Sequence, residues 1–145
     1  MKLTTQSLLE GMAEALDERI RPMIADSFTA DATRMAASVV RIAARASDEA
    51  AAIRVEENAR IRGLLAQGAA MVSESTLAAR LDAASKSGDP GYRISQLDRA
   101  NGDLRLDLIA LHSWLEDNRS PAALQLDAEI WRAMRDFEMA RAPRA

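Results

Sequence analysis

Ile94, Leu97, Asn101, Leu104, Leu108, Leu111 and Leu115 follow one another at alternating intervals of three and four residues. On an α-helix that spacing gathers all seven side chains into one stripe, while a strand would scatter them over both faces. The stretch from Pro90 to Asn118 is therefore expected to be one long helix that packs lengthwise against others. An antiparallel bundle is the natural product.

The remaining elements read the same way. Thr4 or Thr5 can cap a first helix whose Leu8, Leu9, Met12, Leu16, Ile20 and Met23 mark one face. Pro22 should kink or end that helix. Asp26 to Thr29 reads as a connection, with Thr29 the best cap for a second helix over Ala30 to Ala46 that turns Met35, Val39 and Ile42 inward. Ser47-Asp48-Glu49 either caps a new helix or is a polar bump on a continuous one. A third stretch runs to about Gln67, with Gly68 as its C-cap. A short fourth helix starts at Ser73 or Ser75. Ser120-Pro121 opens the last helix, where Leu126, Ile130, Met134 and Phe137 face inward with Leu124 and Trp131 beside them. The residues after Arg141 are expected to fray. The fold class is all-α: a single domain over residues 1–145, with five or six helices.

Composition narrows the chemistry. Aromatic residues make up only 3% of the chain, so its core must be built from Leu, Ile, Val, Met and Ala. All but Lys2 and Lys86 of the 19 basic residues are Arg, and they are spread from Arg19 to Arg144 against 22 acidic residues. A phosphate-tracking surface gathers its cations on one face, so no nucleic-acid partner is expected. The absence of cysteine excludes disulfides, thiol nucleophiles and thiolate metal sites. No apolar run approaches a membrane span and no signal-peptide core can be fitted near Lys2. The expectation is a cytoplasmic protein with no membrane association, no cofactor, no metal and no catalytic residues.

Candidate site residues come from polar interruptions of apolar stripes. Asn101 breaks the long seam, and Asn58 lies three residues from both Val55 and Ile61, so both amides are expected to point inward and to lie near one another. With Arg105 and His112 they would form a polar notch able to hold a small ligand. His112 is the only histidine and Glu116 stands four residues on, a spacing that could serve a metal or a general base. A helical metal site needs a second histidine or further inward carboxylates, and none has that spacing. Glu56 and Arg60 are expected to pair on the surface. Trp114 and Trp131 sit on the last two helices, as core residues or as anchors of an interface.

The run from Leu9 to Pro22, with Ile20-Arg21-Pro22 at its end, and the run Glu57-Asn58-Ala59-Arg60-Ile61 before Leu64-Leu65, resemble an uncharacterised bacterial all-helical family. Its members are encoded near phosphotransferase-like and acyl-CoA dehydrogenase-like proteins. The resemblance implies a small accessory protein working beside acyl-CoA-type metabolism, and covers about the first 65 residues. The family has no established catalytic residues to carry over. The expected function is protein–protein interaction, as a homodimeric or otherwise oligomeric subunit or as a partner of a metabolic enzyme. The alternative is small-molecule binding, or weak enzymatic activity, in the notch.

Overall fold

The computed structural model describes residues 3–142 and is all-helical there. Five α-helices follow in order: α1 Thr5–Glu14, α2 Ser27–Met71, α3 Ser75–Ser85, α4 Ile94–Asp117 and α5 Pro121–Arg141. They fall into two compact units, residues 3–50 and Ala51–Ala142, and α2 contributes to both.

In the first unit Thr4 caps α1 by accepting from the Ser7 amide at 3.1 Å, and the Ser7 hydroxyl accepts in return from the Thr4 amide. Beyond Glu14 the chain widens into a π-turn over Ala15–Ile20 and then tightens into a 3₁₀ turn over Arg21–Met23, where Pro22 supplies no amide and the helix ends. Asp17 accepts from Arg41 of α2 at 2.9 Å and pairs with Arg21 at 2.8 Å. The cap of α2 is Asp26, not Thr29: its carboxylate accepts from the Thr29 amide at 2.7 Å and from the Thr29 hydroxyl at 2.6 Å. The buried residues of this unit are small, namely Ala13, Ala37 and Ala44. Met35 and Val39, expected to face inward, are each 64% exposed, and Leu8 and Met12 of α1 are exposed too.

Helix α2 has no break at Ser47. The Ser47 hydroxyl donates to the Ala44 carbonyl at 2.8 Å, so the side chain is absorbed by the helix's own backbone. Nor does the helix stop at Gly68, which lies inside it.

The second unit holds the core. Ile61, Leu64, Leu65 and Val72 of α2 meet Leu81 of α3, the α4 seam from Leu104 to Leu115, and Ala123, Leu126, Ile130, Ala133 and Phe137 of α5. The seam behaves as its spacing dictates: Leu97, Asn101, Leu104, Leu108, Leu111 and Leu115 are all buried, and only Ile94, the first helical residue, remains exposed. Gly102 does not interrupt it. Ser120 caps α5 by accepting from the Ala123 amide at 3.2 Å, with Pro121 as the first helical residue. On α5, Leu124 and Trp131 turn outward rather than in.

Gly68 sets how closely α2 approaches α4. A Cβ there would lie 2.5 Å and 2.6 Å from the two methyl carbons of the fully buried Leu111. Gly68→Ala is therefore expected to destabilise the protein by about 1–3 kcal/mol. Gly63→Ala, five residues earlier on an exposed face with no neighbour within 4 Å of the new carbon, should be neutral or gain up to about 1 kcal/mol. Thermal unfolding followed by circular dichroism checks the pair; a Gly68→Ala variant as stable as the Gly63→Ala one would refute the close approach.

Candidate functional site

Glu57 and Asn58 stand side by side on α2, about 100° apart around the helix, so each reaches a different neighbour. Both are buried, at 2% and 0% exposure. One carboxyl oxygen of Glu57 accepts from the Asn101 amide at 2.8 Å and from the Arg105 guanidinium at 2.6 and 3.0 Å. The other accepts from Arg141 at 2.7 Å. Asn101 and Arg105 share a face of α4 because they are one turn apart, and Arg141 is the last residue of α5.

Asn58 continues the network. Its carbonyl oxygen accepts from Asn101 at 2.9 Å, and its amide donates to Asp89 at 2.9 Å and to the Leu97 carbonyl at 3.3 Å. Arg62, one turn further along α2, donates to the same Asp89 oxygen at 2.7 Å and to the Ser87 hydroxyl at 3.2 Å, which pins the α3–α4 loop. Both carboxylates, Glu57 and Asp89, are thus held by guanidiniums through hydrogen bonds. A buried charge in so low a dielectric persists only when it is paired in this way.

The structure brings Asn58, Asn101 and Arg105 together, with the two amides in direct contact. It does not bring His112 to them. Seven residues past Arg105, His112 lies roughly 10 Å further along α4, in a second group. Its Nδ1 stands 2.8 Å from Asp127 of α5, a short approach that is not aligned as a hydrogen bond. Its Nε2 is 3.6 Å from Glu116, and its ring meets Trp131 edge-on at 5.4 Å between centroids. Trp114 is partly buried against the core, whereas Trp131 is 61% exposed. Arg60 pairs with Asp136 at 2.9 Å across to α5 and lies over the Phe137 ring, rather than pairing with Glu56 along its own helix.

Arg141, Asp89 and Arg62 complete the network and were not singled out in the sequence, whereas Glu57 belongs to the polar run that holds Asn58. The one available signal was that Glu57 precedes an inward Asn58. The network leaves its two amides no open edge, so what it offers is registration of three helices and a loop rather than an empty binding pocket. Beside the histidine group lies a cleft of about 220 Å³, floored by Leu108 and Ile130 and flanked by Arg105, His112 and Trp131.

Fold and site together define an all-α helical protein with a charged hydrogen-bond network in its core. No family model, curated protein or solved structure matches the chain. Among the described residues no helix is long and apolar enough to cross a membrane.

Burial raises the Glu57 pKa, but the hydrogen bonds from Arg105, Asn101 and Arg141 outweigh it and hold the carboxyl below the usual glutamate range. Asp89 is depressed in the same sense, with burial overcome by Arg62 and Asn58. A carboxyl with a depressed folded pKa contributes stability that is fully present above its unfolded pKa, about 4.3 for Glu. The contribution is lost as the pH falls through the folded value. Glu57→Gln keeps the shape but turns an amide donor toward guanidinium donors. It is expected to cost about 3–5 kcal/mol at pH 7 and to flatten the loss of stability between pH 5 and pH 3. Urea unfolding across that range measures both; an unchanged acid limb would show that Glu57 does not carry it.

Proposed function

We propose that the chain is a helical assembly protein, an oligomeric subunit or accessory partner of a metabolic enzyme, and that residues 3–50 are its associating part. The observation that carries this reading is the absence of a core among those residues. They bury only Ala13, Ala37 and Ala44, while Leu8, Met12, Met23, Phe28, Met35 and Val39 are each more than half exposed. Ordering a residue's backbone costs roughly 1–2 kcal/mol, and three buried methyl groups offset little of that over some fifty residues. Units of this size commonly complete their cores by oligomerisation. The resemblance of the Leu9–Leu65 stretch to a helical family encoded near acyl-CoA dehydrogenase-like proteins supports an accessory role beside that chemistry.

A second reading, small-molecule binding, is supported by the cleft beside Trp131. Trp131 is held edge-on by His112 yet largely exposed, as the wall of a binding site would be. The cleft is below the roughly 300–1,000 Å³ of most ligand sites, so its ligand would be small.

Self-association links folding to concentration. The purified chain is expected to sediment as an oligomer at micromolar concentration, and its unfolding midpoint should rise with protein concentration. A monomer with a concentration-independent midpoint would refute the reading.

A further inference from the structure

Within the first unit, α2 carries a second seam. Phe28, Ala32, Met35, Val39, Ile42 and Ala46 are separated by four, three, four, three and four residues, the interval pattern of a heptad repeat. At 100° per residue this stripe lies on the far side of α2 from Ala37 and Ala44, the line buried in the same unit. Phe28 is 80% exposed, Met35 and Val39 are 64% exposed, and only Ile42 is half-buried. A seam this regular is complementary to another of its own kind.

We infer that this seam is the contact between two copies of the chain, paired antiparallel about a two-fold axis midway between Met35 and Val39. The inference rests on the self-association proposed above and specifies its partner and geometry. Three features select that arrangement. In the antiparallel register each large seam residue meets a smaller one: Phe28 faces Ala46 of the second copy, Ile42 faces Ala32, and Met35 faces Val39. In the parallel register every residue meets itself, so Phe28 would crowd Phe28 while Ala32 and Ala46 left gaps against themselves.

Charge points the same way. The flanking positions on one side of the seam are Asp31, Ser38 and Arg45, all exposed. In antiparallel pairing these flanks meet each other, so Asp31 stands opposite Arg45 of the second copy twice over, with Ser38 opposite Ser38 at the axis. Parallel pairing sets this flank against the other one, which holds Thr29, Ala36 and Ala43 and no charge. That second flank supplies the third feature. Its exposed Ala36 and Ala43 have no bulk to hold the helices apart, so the two backbones can approach closely. A two-fold contact of this kind is closed and isologous, and it limits assembly to a dimer at this face.

The chain contains no cysteine, so single thiols report the pairing directly. Three variants, Thr29→Cys, Ala36→Cys and Ala43→Cys, leave the seam and its charges intact. Treated with a short bis-maleimide, the Ala36→Cys protein should cross-link to itself. Thr29→Cys should cross-link only when mixed with Ala43→Cys. In a second measurement, Asp31→Arg, which sets arginine opposite Arg45 of the second copy, should weaken the dimer about tenfold at low salt and less at high salt. Circular dichroism confirms that each variant is folded. Efficient cross-linking of Thr29→Cys alone would establish a parallel pair and overturn this inference while leaving self-association standing. A dimer in which none of the three thiols cross-links would place association on another face, with the same consequence. A chain that is monomeric throughout would overturn both.

Discussion

The carboxylate of Glu57 is the group on which the second unit's arrangement depends. A charge buried to this degree is tolerated only if each of its acceptor positions is filled, and here the donors come from different helices: Asn101 and Arg105 from α4, Arg141 from α5. Satisfying all of them requires α2, α4 and α5 to hold one register and one depth. A leucine at each position could pack as well or better, but several sliding arrangements would then have similar energy. The network makes the others costly, because any slip strands a charge. Its contribution lies in specifying one packing more than in adding net stability.

The rest of that unit is consistent with this constraint. Asn101 occupies the place a leucine would take in the α4 seam, so the network sits in line with the apolar core rather than beside it. Ten residues on, Leu111 fills the space left by the missing side chain of Gly68. These two contacts, one polar and one steric, fix α4 against α2 at separate points along both helices. Asp89, bonded to Asn58 and Arg62, extends the same network into the turn that leads into α4.

What the sequence disclosed was local or periodic. The seam, the Thr4 and Ser120 caps and the stop near Pro22 each depend on residues within a turn or two of one another. The proximity of Asn58 and Asn101 was legible for a related reason: each amide interrupts an apolar stripe, and two inward amides seek each other. Glu57 and Arg141 were not legible, since they are 84 residues apart in sequence and charged residues on helices usually face water. His112 fell outside the expected notch because a helix advances 1.5 Å per residue, and sharing a face with Arg105 does not make it a neighbour. Arg60 chose Asp136 over Glu56 because α5 offers it a ring to lie over as well as a carboxylate. Met35 and Val39 were assigned inward by apolarity alone, which cannot distinguish a buried face of the helix from one left exposed.

That last ambiguity carries the functional argument. In the first unit α2 is apolar or small around most of its circumference, with its charged arc running from Asp48 through Arg41, Arg34 and Arg45 to Asp31 and Glu49. Helix α1 is matched to that arc: Asp17 bonds to Arg41, and Glu10, Glu14 and Glu18 line a cleft with Arg41 and Arg45. Ion pairs near the surface are weak sources of stability but good sources of orientation, and these orient α1 so that it covers the line of Ala37 and Ala44 and leaves the opposite seam bare. Had α1 been placed to bury Phe28, Met35 and Val39 instead, its acidic face would have met no cations. The charge pattern of α2 thus places α1 away from the apolar seam, and the seam stays exposed.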